Sequence, residues 1–281
     1  MLDLDRNVLK KQIKIAAFDV DGTILPNGIT EFSDRTAKMF EELKKQNIIT
    51  VIASAREFVT IGNLLDKVPT LDYFIGANGT FIYDVQNKKL VFEKVINFDD
   101  FKTIYEFFIK TKQCTGFTIM DTKYGFYSPG TNIDTWFLRP HHQKMIYVDY
   151  DKLEKDHMHI ITLIAKGIEN SNWCSKKANE LIQKKHMDLE VNSLWTNGLF
   201  ICPKGITKSE TLNTLCKMLG YSRDNLIAFG DSSNDYEMIR DAFYGVAMDH
   251  SSDELKKVAN DVALDCEYDG AYIKLQELKL I

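Results

Sequence analysis

Residues 13–25, IKIAAFDVDGTIL, decide the fold of this chain. The first half reads as a short apolar strand, and Gly22 marks a turn directly afterwards, so Asp19 and Asp21 fall where a buried strand runs into a loop. Residues i and i+2 of an extended segment point to the same side, which predicts that both carboxylates face one small volume. Two like charges in such a place need a cation, a shared proton, or both.

The D-x-D-G motif alone leaves a simpler interpretation open, because Asp and Gly are common in ordinary turns. A calcium loop of the EF-hand type is excluded by counting. With Asp19 at position 1, that loop requires Gly at position 6 and Glu at position 12, where this chain has Ile24 and Thr30. A second acidic motif, which begins at Asp231, fails the same test because Tyr236 stands where Gly is required.

The length and composition predict a globular protein of two modules. The chain has 281 residues, of which 44% are hydrophobic and 27% charged, and single cores seldom grow far beyond this size. Residues 1–12 are charged from the start, unlike a secretory signal, and no apolar run approaches the length of a membrane span. A net charge of -5 argues against general affinity for nucleic acid. We therefore expect a cytoplasmic protein that binds neither nucleic acid nor membrane.

The cysteines and histidines give no sign of a disulfide framework or a zinc site. The cysteines are odd in number and contain no C-x-x-C pair, which predicts small buried apolar groups in a reducing compartment: Cys114, Cys174, Cys202, Cys216 and Cys266. Four histidines occur without a matching cluster of ligands and are predicted to be loop or surface residues: His141, His142, His157 and His159.

Strands and helices alternate in the first third of the chain. A second apolar strand covers residues 48–53 and ends in the sequence ASAR around Ser54, and a third, at residues 73–75, runs into the sequence GANG around Asn78. A strand, a helix and a second strand in succession are typical of the beginning of a parallel sheet. Open sheets of this kind hold ligands beyond the carboxyl ends of their strands, which is where the small and polar residues fall.

The pattern changes from about residue 81 to a hairpin, a helix and strands of mixed order, which predicts an α+β insertion. Apolar strands at residues 199–203 and 226–229 mark a return to alternation, and the second ends in the acidic sequence GDSSND. We predict an α/β protein with a doubly wound parallel-sheet core and an inserted α+β domain, divided as core residues 1–83, inserted residues 84–190 and core residues 191–281.

Four motifs occur in a fixed order along this alternating chain: D-x-D-G-T at Asp19, a strand-end serine at Ser54, a helix-opening lysine at Lys208, and G-D-x-x-N-D at Asp231. Together they resemble the haloacid dehalogenase superfamily of phosphohydrolases, in particular its Cof-like group (type IIB), which carries a large α/β cap of the C2 type. The resemblance covers nearly the whole chain. It implies that the insertion is a cap and that substrate specificity lies largely within it.

The resemblance also implies roles for the side chains. Asp19 would be the nucleophile, and Asp21 would be the general acid and base. Ser54 would hydrogen-bond the phosphoryl group, while Lys208 would hold that group and offset the charge of the nucleophile. Lys204 is a competing candidate for the lysine, and Lys208 is preferred because it opens the helix, as in the family motif.

A magnesium ion is the cofactor that the resemblance implies. It would bind Asp19, the backbone carbonyl of Asp21, and Asp231, with Asn234 and Asp235 in support, directly or through water. Electrostatics leads to the same expectation, because several carboxylates and a phosphate dianion do not converge without a hard cation.

Two further residues, Arg56 and Asn78, match family positions near the substrate pocket.

The chain departs from the family at three places: Ala55 replaces a Gly, Ser209 replaces the Gly after the motif lysine, and His250 stands where an Asn is usual. None of these departures removes a catalytic side chain. The last is expected to change contacts near the site, and with them the substrate preference.

The expected function is therefore a Mg²⁺-dependent phosphatase acting on a small phosphorylated metabolite, such as a sugar phosphate or a cofactor phosphate. A phosphotransferase or phosphomutase of the same superfamily is the nearest alternative. A phospho-accepting signalling domain would also combine acidic residues, Ser and Lys around Mg²⁺, but it needs neither a second aspartate at i+2 nor a cap-sized insertion. A binding protein that has lost catalysis is a third alternative.

Overall fold

The computed structural model describes residues 6–281, with side chains from Val8 onward. Residues 1–5, which are part of the stretch predicted to lack a secretory signal, lie outside the described residues. The chain divides into two compact units. The first contains the described residues up to Ala55, Asn63–Phe92 and Thr207–Ile281, and the second contains Arg56–Gly62 and Glu93–Ile206. None of the helices between residues 6 and 281 is both long and apolar enough to cross a membrane.

The strands, in chain order, are β1 (Ile15–Phe18), β2 (Ile49–Ala53), β3 (Tyr73–Gly76), β4 (Phe81–Asp84), β5 (Lys89–Glu93), β6 (Cys114–Met120), β7 (Gly125–Tyr127), β8 (Met145–Tyr147), β9 (Ile161–Ala165), β10 (Leu189–Trp195), β11 (Gly198–Pro203), β12 (Leu226–Gly230), β13 (Tyr244–Met248) and β14 (Asp261–Ala263). The α-helices are α1 (Arg6–Gln12), α2 (Asp34–Lys45), α3 (Phe58–Ile61), α4 (Phe98–Phe108), α5 (Ile168–Lys185), α6 (Lys208–Met218), α7 (Tyr236–Asp241), α8 (Asp253–Val258) and α9 (Gly270–Glu277).

The first unit is built on an eight-stranded sheet in the order β14-β13-β12-β1-β2-β3-β4-β5. β1 lies between β2 and β12 and is parallel to both, with Phe18 opposite Ile52 on one side and Phe229 on the other. All four residues of β1 are buried, as expected for a parallel strand covered on both faces. From β1 the chain first adds strands β2 to β5 on one side of β1, and it later adds β12 to β14 on the other side. The carboxyl ends of β1 and β12 therefore form a topological switch point, where such sheets bind ligands.

The second unit is built on a six-stranded sheet in the order β10-β11-β9-β6-β7-β8, whose pairings are antiparallel except between β7 and β8. Its core combines aromatic residues of α4 and β6, such as Phe101 and Phe117, with Cys174 and Ile182 of α5. The predicted fold class, a doubly wound α/β core with an inserted α+β domain, is confirmed.

The strand predicted at residues 199–203 forms as β11, but it pairs antiparallel with β9 and β10 and so belongs to the second sheet. A short apolar run reads as a buried strand in either kind of sheet, because its periodicity does not say which neighbours it has. The domain limits at residues 84 and 190 stay a prediction.

The prediction that the four histidines are loop or surface residues holds for His159 only in that it lies in a loop, before β9. His159 is not a surface residue: it is completely buried, with its Nδ1 3.3 Å from Glu57 Oε2 and its Nε2 2.6 Å from Glu93 Oε1. Burial lowers the pKa of His159, but hydrogen bonds to the two carboxylates outweigh it and raise this pKa to about 9, while burial raises the pKa of Glu57 to about 7. Both partners are more than sixty residues away along the chain, so local sequence could not reveal them.

Candidate active site

Asp19 and Asp21 lie at the switch point, directly beyond the carboxyl end of β1. The backbone N–H of Asp19 donates to the carbonyl of Phe229 at 3.0 Å, which continues the pairing of β1 with β12 by one hydrogen bond. Asp19 as a whole residue is only 5% exposed. Asp21 follows in a tight loop, closed by a 2.9 Å hydrogen bond from the Gly22 N–H to the Leu25 carbonyl.

Gly22 brings this loop against the second acidic motif. Its φ of +85° lies in the left-handed region, which side chains other than glycine rarely adopt. A Cβ atom at this position would lie 2.6 Å from Oδ2 of Asp231. The glycine of D-x-D-G therefore serves both the turn and the close approach of Asp231.

Lys208, the first residue of α6, connects the two acidic motifs. Its Nζ lies 2.6 Å from Oδ1 of Asp19 and 2.8 Å from Oδ1 of Asp235, and the lysine is 1% exposed. Thr207 caps the helix, since its side chain accepts a hydrogen bond from the N–H of Glu210, and this fixes the first turn from which Lys208 extends. Lys204, the competing candidate, lies exposed in the preceding turn.

Asp235 shapes the loop that follows β12. Its Oδ2 accepts hydrogen bonds from the backbone N–H groups of Asp231 and Ser232, both at 3.1 Å, while its Oδ1 accepts from Lys208. Both carboxylate oxygens are thus engaged with the protein. Asp235 holds the loop and the lysine in place, and through the loop it also fixes the position of Asp231.

Asp231 is held by three side chains, of which the sequence pointed only to His250 as a residue that changes contacts near the site. The hydroxyl of Thr23 donates to its Oδ1 at 3.1 Å, and the hydroxyl of Ser232 donates to its Oδ2 at 3.0 Å. His250 also approaches Oδ2, with its Nε2 at 3.3 Å, while its Nδ1 lies 2.7 Å from Oδ1 of Asp265. The departure from the family at His250 was the only sign of this contact in the sequence.

The electrostatics of the site call for more positive charge than Lys208 supplies. Burial raises the pKa of Asp19, and Lys208 opposes this while Asp235 and Asp231 add to it. Burial and Asp235 also raise the pKa of Asp231. The pKa of Lys208 is raised, because the attraction of Asp19 and Asp235 outweighs the effect of burial. One ammonium among three carboxylates leaves negative charge that a metal cation, a shared proton or a protonated His250 would compensate.

The donor set fits a hard cation. Asp19, Asp231 and Asp235 each offer a carboxylate oxygen, and these atoms lie within 4.8 Å of one another. All of the donors are oxygen atoms, which Mg²⁺ prefers over nitrogen and sulfur.

Ser54, Asn78 and Asn234 form a chain of hydrogen bonds in the same unit. The N–H of Asn78 donates to the carbonyl of Ser54 at 3.0 Å, and the Nδ2 of Asn234 donates to Oδ1 of Asn78 at 3.1 Å. Ser54 and Asn78 are almost completely buried, and Asn78 adopts a left-handed backbone conformation with φ of +60°. These contacts link the end of β2 to the loop after β12.

Arg56, the other predicted substrate residue, belongs to the second unit. Its guanidinium donates to the carbonyl of Thr60 at 2.5 Å and lies 4.9 Å from the ring centroid of Phe137. It is 5% exposed, and both of these contacts lie within the second unit.

The sequence matches the family model of haloacid dehalogenase-like hydrolases over residues 16–275. The chain belongs to this family. A curated relative, 5-amino-6-(5-phospho-D-ribitylamino)uracil phosphatase YcsE of Bacillus subtilis, is 26% identical over 88% of this chain and 88% of its own length. The HMP-PP phosphatase of Serratia proteamaculans is 24% identical over 87% of each chain.

A solved structure shows the same fold. The haloacid dehalogenase-like hydrolase from Bacteroides thetaiotaomicron superposes with a TM-score of 0.83 at 21% identity, over 95% of this chain and all of the other. The resemblance inferred from four motifs is thus confirmed, and the chain is an enzyme of the phosphatase group in this hydrolase family.

Proposed function

We propose that this hydrolase is a Mg²⁺-dependent phosphatase of small phosphorylated metabolites that works through an aspartyl-phosphate on Asp19. The observation that carries the proposal is the buried contact of Lys208 with both Asp19 and Asp235, beside Asp231 at the switch point. This arrangement supports the proposal, because phosphoryl transfer needs a nucleophile and positive charge beside the phosphoryl group.

In the first step, an oxygen of Asp19 attacks phosphorus, and the bond from phosphorus to the leaving oxygen breaks. Asp21, two residues further along the chain, gives its proton to that leaving oxygen. In the second step, the Asp21 carboxylate takes a proton from water as the water oxygen attacks phosphorus, and the bond to Asp19 breaks. Inorganic phosphate leaves, and both aspartates return to their starting states.

The other predicted residues hold the phosphoryl group. Lys208 offsets charge on the equatorial oxygens and on Asp19, and Ser54 donates a hydrogen bond to the group. Asn78 supports Ser54 through its backbone contact, at 3.0 Å. Arg56 remains a proposed substrate contact on the strength of the family resemblance.

Mg²⁺ would be held by Asp19, the backbone carbonyl of Asp21, and Asp231, with Asn234 and Asp235 in support. When bound, it supplies positive charge to the phosphoryl oxygens. The hydrogen bonds from Thr23 and Ser232 to Asp231 support this assignment, because they orient the carboxylate without blocking all of its lone pairs.

The substrate class rests on the relatives. Two of them are named for phosphorylated small molecules, which supports a sugar phosphate or a cofactor phosphate as substrate here. We further propose that residues 84–190 set the preference among them. The five free cysteines support a reducing, cytoplasmic location.

The test is phosphate release from a panel of phosphorylated metabolites, with Mg²⁺ and with a chelator. Wild type should release phosphate only with the metal, and Asp19→Asn should lose the activity while keeping its fold. Asp66→Asn, at an exposed position, is the matched control and should behave as wild type. A near-normal rate in Asp19→Asn would overturn the assignment, and transfer to an added sugar instead of water would identify a phosphotransferase.

A further inference from the structure

Four titratable side chains converge in the second unit, in a place that the phosphatase chemistry does not use. They are Glu57, which precedes α3, Glu93 at the end of β5, and His157 and His159 before β9. Oε1 of Glu93 lies 2.8 Å from Nδ1 of His157 and 2.6 Å from Nε2 of His159. One ligand atom from each of Glu93, His157 and His159 lies within 4.8 Å of the other two.

The inner side of this cluster is buried and held by hydrogen bonds. His159 is completely buried, and Glu57, which faces its Nδ1, is 2% exposed. Glu57 is the N-cap of α3, and its backbone N–H donates to Oγ1 of Thr60 at 2.8 Å, so the helix end fixes its position. Glu57 therefore aims the His159 ring, whose Nε2 points toward Glu93.

The outer side of the cluster is open to water. The side chain of His157 is 38% exposed and that of Glu93 is 21% exposed. A cation can therefore reach the converging atoms from solvent, and water can complete its coordination.

We propose that Glu93, His157 and His159 form a second metal site, selective for Zn²⁺ or a similar transition-metal dication. The ligands are a carboxylate oxygen of Glu93, Nδ1 of His157 and Nε2 of His159, with water in the fourth position. Two imidazoles and a carboxylate are an established zinc donor set. Mg²⁺ prefers oxygen ligands alone, so the two sites of this protein differ in the metal they select.

Glu57 has the role of an orienting residue in this site. A histidine that binds a metal through one ring nitrogen usually donates its other N–H to a carboxylate, which fixes the tautomer and the ring orientation. Glu57 stands at this position relative to His159, with Oε2 3.3 Å from Nδ1. This arrangement is the feature that distinguishes the cluster from a chance meeting of acidic and basic side chains.

The metal requires the ligand atoms at Glu93 to move apart. Ligand atoms around a tetrahedral zinc lie about 3.3 Å apart, given zinc–ligand distances of about 2.0 Å. The distances from Glu93 Oε1 to His157 Nδ1 and His159 Nε2 must therefore widen by about 0.5 and about 0.7 Å, which the partly exposed His157 and Glu93 can provide. Binding at Nε2 releases the proton that His159 shares with Glu93, and this proton goes to the buffer.

Bound metal would stabilise the second unit. It would connect Glu93, the first residue of the longer segment of this unit, to residues 157 and 159, and through His159 to Glu57 in the shorter segment. Because these ligands converge only in the folded chain, binding adds to folding stability.

The experiment is metal binding by the full chain after chelation and desalting, with Mg²⁺ in excess to occupy the acidic site. Calorimetry should find one Zn²⁺ per chain, and Co²⁺ should give the visible absorption bands of a site with nitrogen ligands. His157→Gln and Glu93→Gln should abolish both signals, and Glu57→Gln should weaken binding by about tenfold to a hundredfold. His142→Gln, at an exposed histidine of the same unit, should bind as wild type.

Two results would overturn the proposal. The first is absence of Zn²⁺ binding by wild type, which would leave a hydrogen-bonded histidine–carboxylate network. The second is binding that survives both His157→Gln and Glu93→Gln, which would place the ion elsewhere. Neither result bears on the phosphatase reaction, because the readout is metal binding and not phosphate release.

Discussion

The protein buries one cluster of charged side chains in each compact unit, and the two clusters differ in what compensates their carboxylates. In the first unit, Lys208 lies between Asp19 and Asp235. In the second unit, His159 lies between Glu57 and Glu93. A lysine stays charged across the physiological pH range, whereas a histidine can also offer a neutral nitrogen to a metal.

The two proposals rest on this difference: the first cluster is proposed to bind phosphate, and the second is proposed to bind a borderline metal such as Zn²⁺. In the first cluster the lysine cannot be a metal ligand, so a cation there has only oxygen atoms to bind, and an anionic substrate finds an ammonium beside it. In the second cluster the compensating residue, His159, is itself one of the proposed ligands. Each of the following predictions changes one side of this comparison.

The largest effect is expected from Lys208→Met, which keeps side-chain volume but removes the charge. Turnover should fall by about a hundredfold to a thousandfold, because the phosphoryl oxygens and Asp19 lose their fixed cation. The free energy of unfolding should fall by roughly 3–5 kcal/mol, since Asp19 and Asp235 remain buried without it.

Mg²⁺ should restore part of the stability of Lys208→Met but little of its turnover. Thermal unfolding with and without Mg²⁺ measures the stability, and phosphate release measures the turnover. Lys217→Met, at an exposed position of the same helix, should match wild type in both assays. Stability as high as that of wild type in metal-free Lys208→Met would contradict the charge argument for the first cluster.

A smaller effect on stability is expected from His159→Leu in the metal-free protein. The free energy of unfolding should fall by roughly 2–3 kcal/mol, because Glu57 and Glu93 lose a hydrogen-bond partner. The loss is smaller than for Lys208→Met because Glu57, whose pKa burial raises to about 7, can become neutral.

Chemical denaturation measures the free energy of unfolding of His159→Leu and of the control His142→Leu. His142 is a suitable control because it is an exposed histidine of the same unit. A loss equal to that in His142→Leu would show that the buried histidine contributes nothing to the second cluster. Added Zn²⁺ should stabilise the His142→Leu protein and leave His159→Leu unchanged.

The smallest effect is expected from His250→Asn. Hydrogen bonds to Asp265 and Asp231 outweigh partial burial and raise the pKa of His250, so at acidic pH it places a positive charge beside Asp231. The positive charge of His250 repels a metal ion bound to the Asp231 carboxylate, and the substitution by Asn removes this charge. The Mg²⁺ concentration for half-maximal activity should therefore fall by about fivefold or less at acidic pH, because a partly exposed charge is screened.

The sign of this pH effect makes it testable. As pH rises above the pKa of His250, the ring loses its charge in wild type, and the difference between the two proteins should vanish. A Mg²⁺ titration of activity at several pH values measures it. A constant difference at all pH values would show that His250 acts through packing or orientation instead of charge.

The first cluster could be predicted from the sequence because its residues stand beside the ends of strands. Asp19 follows β1 and Asp231 follows β12, so the rule that ligands bind beyond the carboxyl ends of a parallel sheet brings them together. Lys208 could be preferred to Lys204 because it opens a helix. Glycine at position 22 marks the turn, although its close approach to Asp231 required the structure.

The second cluster could not be predicted, because its members come from separate segments with no motif in common. His157 and His159 share an H-x-H spacing, but Glu57 and Glu93 lie 102 and 66 residues from His159. The same limit applies to β11, whose apolar sequence fits a strand of either sheet. Local pattern fixes where a strand lies, whereas its neighbours depend on the packing of the whole unit.

The most direct test of the proposed reaction is detection of the phosphoryl group on Asp19. Asp21→Asn should form the aspartyl-phosphate slowly and hydrolyse it more slowly still, because water is no longer activated. After acid quenching of this variant with substrate and Mg²⁺, mass spectrometry of the peptide that contains Asp19 should show the added mass of one phosphoryl group, absent in the Asp19→Asn, Asp21→Asn double variant. A wild type that turns over substrate while no quenched sample carries phosphate on Asp19 would contradict the account.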